Sequence, residues 1–273
     1  MMKKNLKIIF MLLKMKLSKM MVFRFDFFGA FFVDSSLFIL QLLMFNSIYS
    51  HVDSIGGWQQ GEMLIFIGTF SLINAINMTI FFFGIYDIPR KIQERELDYY
   101  ITKPLDPLFR LTFENINIGS SPLILASILI VLYGISELNS EITLVMIIIY
   151  IFMVLLMTLL FYDVCIILRT VSFFVISSSA IMRLEDNLLP MNMKIPGVIY
   201  EGIFKVLFYL ILPYGIMSTI PTQILAGTIT INGLIYSILI VFLFTLFMWR
   251  FWKLGMRHYK SASSNKLVKI DNV

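Results

Sequence analysis

The sequence predicts an all-α integral membrane protein with six transmembrane helices, and three observations carry that expectation. Hydrophobic residues make up 59% of the chain and charged residues only 14%, where a soluble domain carries about 25% charge. Seven apolar stretches, most of them near the roughly 20 residues that span a bilayer, fill most of the 273 positions and leave no room for a sizeable soluble domain. The basic residues also cluster, with 18 of the 22 Lys and Arg falling before residue 25, between Asp87 and Arg110, or from Arg250 onward. Such clusters mark cytoplasmic flanks, so the net charge of +5 reflects topology and nucleic acid is not an expected partner.

Residues 1–25 hold seven basic residues and no acid among Ile8, Ile9, Phe10, Leu12, Leu13, Met15 and Leu17. That mixture predicts an amphipathic helix lying on the cytoplasmic face, with lysines at anionic lipid headgroups. It does not read as a signal peptide, because Lys14 and Lys16 interrupt its short apolar run and no small-residue cleavage site follows. The seven apolar stretches are residues 27–49, 61–86, 113–135, 142–162, 164–182, 199–220 and 229–252. Basic flanks at both ends place both termini inside, which requires an even number of crossings. One stretch therefore does not cross.

The links 50–60, without Lys or Arg, and 136–141, with only Glu137 and Glu141 charged, suit the outside, and residues 87–110 then fall inside. Two assignments remain for the fifth crossing. The preferred one makes Val164 to about Asp186 the crossing, with the inside turn between Asp163 and Thr170, followed by an external region 187–228 that holds a re-entrant hairpin at 199–224. Pro213, Gly215 and Pro221 support it, because a broken helix at membrane depth is tolerated where protein buries it. The other lets 199–220 cross and leaves 164–182 interfacial. The chain is one membrane domain over 1–273, and 260–273 reads as a flexible tail.

Several polar residues fall inside apolar stretches, where they are costly and often functional. Asn74 and Asn77 share a helix face, and Ser177, Ser178, Ser179 and Arg183 give the fifth stretch a polar side; these six are candidates for a substrate path. Hydrogen bonding between helices is the competing reading for Asn74 and Asn77. Glu201 and Lys205, four apart, permit an ion pair. Cys165 is the one cysteine, so no intrachain disulfide or paired-cysteine metal motif exists, and it reads as a small hydrophobe. The two histidines, His51 and His258, fall on opposite sides of the predicted topology. No metal site, no phosphate-binding loop and no catalytic constellation is expected on this chain.

The densest charge lies at Asp87 to Arg110, with five basic and five acidic residues. After Pro89, residues 90–100 suit a short surface helix. Pro104 and Pro107 then force an elbow, since each lacks an amide donor and restricts its predecessor. Arg95-Glu96-Leu97-Asp98-Tyr99-Tyr100-Ile101-Thr102-Lys103-Pro104-Leu105-Asp106-Pro107-Leu108 resembles the pattern G-x-L-D-x-Y-L-x-x-P-x-x-P-L of permease subunits of type 2 ATP-binding-cassette (ABC) exporters. Arg95 stands where that family usually has glycine. The basic N-terminal segment, Ile211-Leu212-Pro213-Tyr214 with Ser218-Thr219-Ile220-Pro221, and the ending Trp252-Lys253-Leu254-Gly255-Met256-Arg257-His258-Tyr259 are similar to the family as well.

The resemblance implies a permease of a bacterial plasma membrane that pairs with a second permease, like or related, and with ABC ATPase subunits that carry the ATP and Mg. It implies that 87–110 is a coupling helix docking on the ATPase. The residues that would meet it are Arg90, Lys91, Glu94, Arg95, Glu96, Leu97, Asp98, Tyr99, Tyr100, Pro104 and Pro107, charges for ion pairs with apolar and aromatic anchors among them. The alternative function is a membrane scaffold or assembly factor whose 87–110 loop recruits a soluble partner without transport.

Overall fold

Among the described residues of the computed structural model, four helices are long and apolar enough to cross a membrane: Gln60–Ile80, Ile118–Ser136, Leu144–Phe173 and Ile231–Tyr259. The structure describes residues 42–138, 141–175 and 194–270, with Phe32, Ser36, Ile39, Leu40, Arg183, Glu185, Asp186, Asn187 and Met191 besides, and side chains as far as Tyr259. The expected surface helix at 1–25 and the serines Ser177, Ser178 and Ser179 lie outside the described residues. In chain order the α-helices are α1 (Gln60–Ile80), α2 (Phe82–Tyr86), α3 (Ile88–Gln93), α4 (Leu97–Ile101), α5 (Pro107–Glu114), α6 (Ser121–Ser136), α7 (Leu144–Thr170), α8 (Gly202–Val206), α9 (Tyr214–Leu225) and α10 (Ile231–Ile270). Residues 42–49 are helical too, and Phe45 packs with Trp58, Met63, Phe66 and Ile67 of the chain that follows.

Small residues set the tightest packing. A methyl group at Gly68 of α1 would sit 2.8 Å from Val131 Cγ2, and one at Gly134 of α6 would sit 2.8 Å from the Ile65 nitrogen. The two antiparallel helices therefore touch backbone to backbone, which small side chains allow in lipid. Helix α7 runs parallel to α1, joined by Thr69 and Tyr150 through their hydroxyls at 2.9 Å and by Phe81 against Tyr162, ring centres 5.0 Å apart. Helix α10 runs parallel to α7, with Thr245 beside Asp163 and Gly255 beside Phe173. The ends of α1, α7 and α10 thus come together at one end of the bundle, beside residues 87–110.

The fifth stretch is corrected. Helix α7 continues unbroken from Leu144 to Thr170, so no turn lies between Asp163 and Thr170 and a crossing does not begin at Val164. Those polar residues do not end the helix because each finds a partner within the fold: Asp163 is hydrogen-bonded with Thr245, and Arg169 pairs with Glu185. The helix ends instead in the turn Val171–Phe173.

A π-helical turn, Leu207–Ile211, follows α8, and the segments Gly202–Ile211 and Tyr214–Leu225 bend through 89°. Pro213 precedes α9 and can donate no hydrogen bond across the bend. Gly56 lies against Ile199 before the bend and Gly227 against Met146 after it; Gly56 and Met146 mark the end where α1 and α7 begin. The pair therefore enters and returns at one end of the bundle. Its return limb is buried from Tyr214 to Thr222, where the Ser218 hydroxyl donates to the Phe66 carbonyl at 2.5 Å. That is the setting in which a broken helix survives at membrane depth.

Two smaller differences follow from helix chemistry. Glu201 and Lys205 form no ion pair; the Lys205 ammonium instead lies 5.8 Å from the Tyr209 ring centre. The backbone of α10 stays helical to Ile270, past residue 260 where a flexible tail was expected. The segment contains neither Gly nor Pro, and extending a formed helix avoids the cost of nucleation.

Candidate partner-docking surface

The charged segment folds as two short helices where the sequence suggested one. Pro89 sits in the first turn of α3, a position that needs no amide donor. The chain then breaks at Arg95, whose φ is 60°, and resumes as α4. A non-glycine residue in the left-handed region is uncommon and costs about 1–2 kcal/mol. The family's glycine would take this conformation without that cost, so the departure seen in the sequence falls at the one point where the backbone demands glycine's freedom. After the elbow, Asp106 caps α5 by accepting from the Phe109 amide at 2.9 Å, with Pro107 opening the helix.

The two faces of this segment differ. Its inner face holds Leu97, which is 0% exposed, together with Tyr100 and Lys91. Lys91 Nζ donates to the Tyr100 hydroxyl at 2.8 Å, which donates to Glu114 Oε1 at 2.7 Å. Burial, then the Glu114 contact, pushes the Tyr100 phenol well above its ordinary range. Leu97, Tyr100 and Lys91 were expected to face outward as anchors and a charge; they instead fasten the segment to α5. Lys91 can be buried because a carboxylate and a phenol satisfy its ammonium.

The outer face holds Arg90, Glu94, Arg95, Glu96, Asp98, Tyr99 and Pro104, all exposed. Arg90 grips Asp87 (Nη2 to Oδ2, 2.6 Å) and Glu96 (Nη1 to Oε1, 2.9 Å), and bonds Glu94 as well. Its hydrogen bonds hold the Asp87 and Glu96 carboxyls below their ordinary values. One cation among three carboxylates leaves an acidic patch. Beside it the Tyr99 ring is flanked by Lys103 Nζ at 4.9 Å and the Arg110 guanidinium at 4.7 Å. Arg110 donates to the Tyr99 hydroxyl at 3.3 Å and lowers its pKa. An exposed aromatic ring held in a fixed orientation between charges has the character of an interface anchor.

Close contacts join the segment and the elements beside it to the bundle. A methyl group at Gly84 of α2 would lie 2.1 Å from the Leu111 carbonyl oxygen, so α2 and α5 meet backbone to backbone. Asp98 lies beside Tyr259 near the membrane end of α10. Trp252 and Tyr259 clasp the Phe173 ring, centres 5.4 and 6.0 Å away, over Gly255, where a methyl would sit 2.4 Å from Phe173 Cδ2. The spacing 252, 255, 259 is one helix face.

Of the proposed path residues, the structure describes Asn74, Asn77 and Arg183. Asn74 donates within α1 to Met78 Sδ at 3.7 Å. Asn77 is fully buried, and its amide has no hydrogen-bond partner among the described residues. Arg183 is exposed. Sequence reasoning missed the polar pairs of α7. Arg169 Nη1 meets Glu185 Oε2 at 2.6 Å with both side chains buried, and Cys165, expected to be a plain hydrophobe, donates from Sγ to Glu185 Oε1 at 3.3 Å. Four charged or polar letters in apolar sequence were the available signal, and their pairing was not visible in it.

By fold and site this is a multi-pass, all-α membrane protein with a charged segment, the bracket formed by residues 87–110, at the end of its bundle. The sequence profile of the ABC-2 family transporter proteins matches residues 36–263. The chain belongs to that family and is a permease component of an ABC transporter. No curated protein and no solved structure matches it.

Proposed function

We propose that this permease couples ATP hydrolysis on a separate ABC ATPase to export across a bacterial plasma membrane, pairing with a second permease, like or related. In this reading residues 87–110 and both termini face the cytoplasm, and ATP with its Mg belongs to the partner. The observation that carries the reading is the two-faced bracket: Glu94, Glu96 and Tyr99 point outward, while Leu97, Lys91 and Tyr100 join the bracket to α5. A pushed outer face then moves the ends of α5 and α10. Of the path candidates that the structure describes, Asn77 is the best supported, because its buried amide is unpartnered among the described residues and such groups are costly without a role.

The test is reconstitution with the cognate ABC ATPase, comparing wild type with Tyr99→Ala and Glu94→Lys. Both side chains are exposed, so insertion and thermal stability stay unchanged while stimulation of ATPase turnover falls at least tenfold, the scale of losing one anchor worth about 1.4 kcal/mol or more. Full stimulation in both variants would overturn the docking role.

A further inference from the structure

Asp163 is used by none of the contacts described for the bracket. It is 0% exposed, lies on α7 and faces α10. Its Oδ2 is 2.5 Å from Thr245 Oγ1, and its Oδ1 has no hydrogen-bond partner among the described residues. The Thr245 hydroxyl is also 2.9 Å from the Val241 carbonyl one turn back. A threonine hydroxyl has one proton. That proton serves either the Val241 carbonyl or Asp163, not both; where it serves Val241, the short contact to Asp163 is made by the carboxyl's own proton, with Thr245 accepting.

The surroundings agree. On α7, Tyr162 is engaged with the Thr112 hydroxyl, Cys165 with Glu185, and Arg169 with Glu185. Tyr214 of α9 lies on the Cys165 and Arg169 side of the helix. On α10, Arg250 and Lys253 are exposed, and Lys253 sits 3.5 Å from the Trp249 ring centre. Among the described residues no cation pairs with Asp163. A carboxylate so placed would carry an uncompensated charge in the membrane, and such groups take up a proton instead.

We propose that Asp163 is an intramembrane proton-binding site, neutral in this conformation, whose proton is shared with Thr245 and joins α7 to α10. When the two helices separate, the O–H bond of the carboxyl breaks and the proton passes to water entering the gap, leaving the carboxylate hydrated. The ligand is the proton, and the site shares no residue with the docking surface.

Infrared spectroscopy of the full chain in lipid nanodiscs tests this. Wild type at pH 7 should show the C=O stretch of a protonated carboxyl that Asp163→Asn removes, with Asp163→Asn retaining the wild-type fold because its amide is neutral and can donate to Thr245. Thr245→Val should shift that band by removing the hydroxyl while leaving the carboxyl protonated. Absence of a band lost in Asp163→Asn overturns the proposal, as does failure of that neutral variant to fold. A band unmoved by Thr245→Val equally overturns the shared proton.

Discussion

The Arg169–Glu185 pair gives the most demanding test of how this bundle holds together. The two side chains are 1% and 6% exposed and meet at 2.6 Å. With an effective dielectric constant of about 20, that distance gives a gross attraction of about 6 kcal/mol, set against a desolvation penalty of several kcal/mol for each ion. The net worth of the pair is therefore small, while the cost of breaking it is large. Arg169→Met leaves Glu185 with the Cys165 thiol as its remaining donor. Glu185→Leu leaves Arg169 with the Cys165 carbonyl at 3.2 Å and the Tyr86 ring 5.9 Å away. Each single variant should lose about 3–5 kcal/mol, and the double variant Arg169→Met, Glu185→Leu should recover to within about 1 kcal/mol of wild type, because two apolar chains of similar volume replace two ions.

Equilibrium unfolding in mixed micelles, followed by fluorescence of Trp58, Trp249 and Trp252, measures all four corners of this cycle. Additive losses in the double variant would refute the reasoning, since they would mean that each side chain acts through its own packing. Single losses below about 1 kcal/mol would refute it too, because water would then be reaching both charges.

Two further predictions concern the bracket. Arg95→Gly removes a side chain from a left-handed position and should stabilise the turn by about 0.5–1 kcal/mol, the 1–2 kcal/mol of relieved strain less the added chain entropy of glycine. Slower amide exchange at residues 94–98 is the expected readout, and unchanged or faster exchange would contradict the strain. The depressed Asp87 and Glu96 carboxyls make stability that is complete above their unfolded values near about 4 and is lost as pH falls through the lower folded values. Protection factors at residues 87–98, exchange corrected for its intrinsic pH dependence, should therefore fall below about pH 4 and stay flat between about pH 5 and 8, and Arg90→Gln should remove that dependence.

The long apolar runs were legible because lipid leaves a chain few alternatives to helix, and the elbow at Lys103 to Asp106 was legible because prolines act locally. What escaped the sequence is what distant residues decide. Asp163 and Arg169 looked like a turn because their partners lie 82 and 16 residues away. Lys91 looked like a surface charge because Glu114, which satisfies it, is 23 residues on. The glycine expected at Arg95 was readable as a departure, yet its meaning needed the backbone φ of 60°.

The breaks in the helices fall at a common level, which bears on how the bracket would transmit a push. The α1 run breaks at Phe81 before α2, and the α5 run breaks at Asn115 before α6. The Asn117 amide, in the gap after α5, donates to the Thr79 carbonyl at 2.8 Å, so the two breaks sit side by side. Helix α7 crosses the same level without interruption and touches both broken runs through Tyr162, whose ring meets Phe81 and whose hydroxyl meets Thr112 at 2.8 Å. Kinks concentrate bending, and an unbroken hydrogen-bonded helix resists it. A force on the outer face would thus tilt α2 and α5 together, since Gly84 leaves no room between them, against α7 as the stiff member. Asp163 is the next residue along α7 from Tyr162 and reaches across to α10. The protonatable contact therefore lies where that tilt would be felt first.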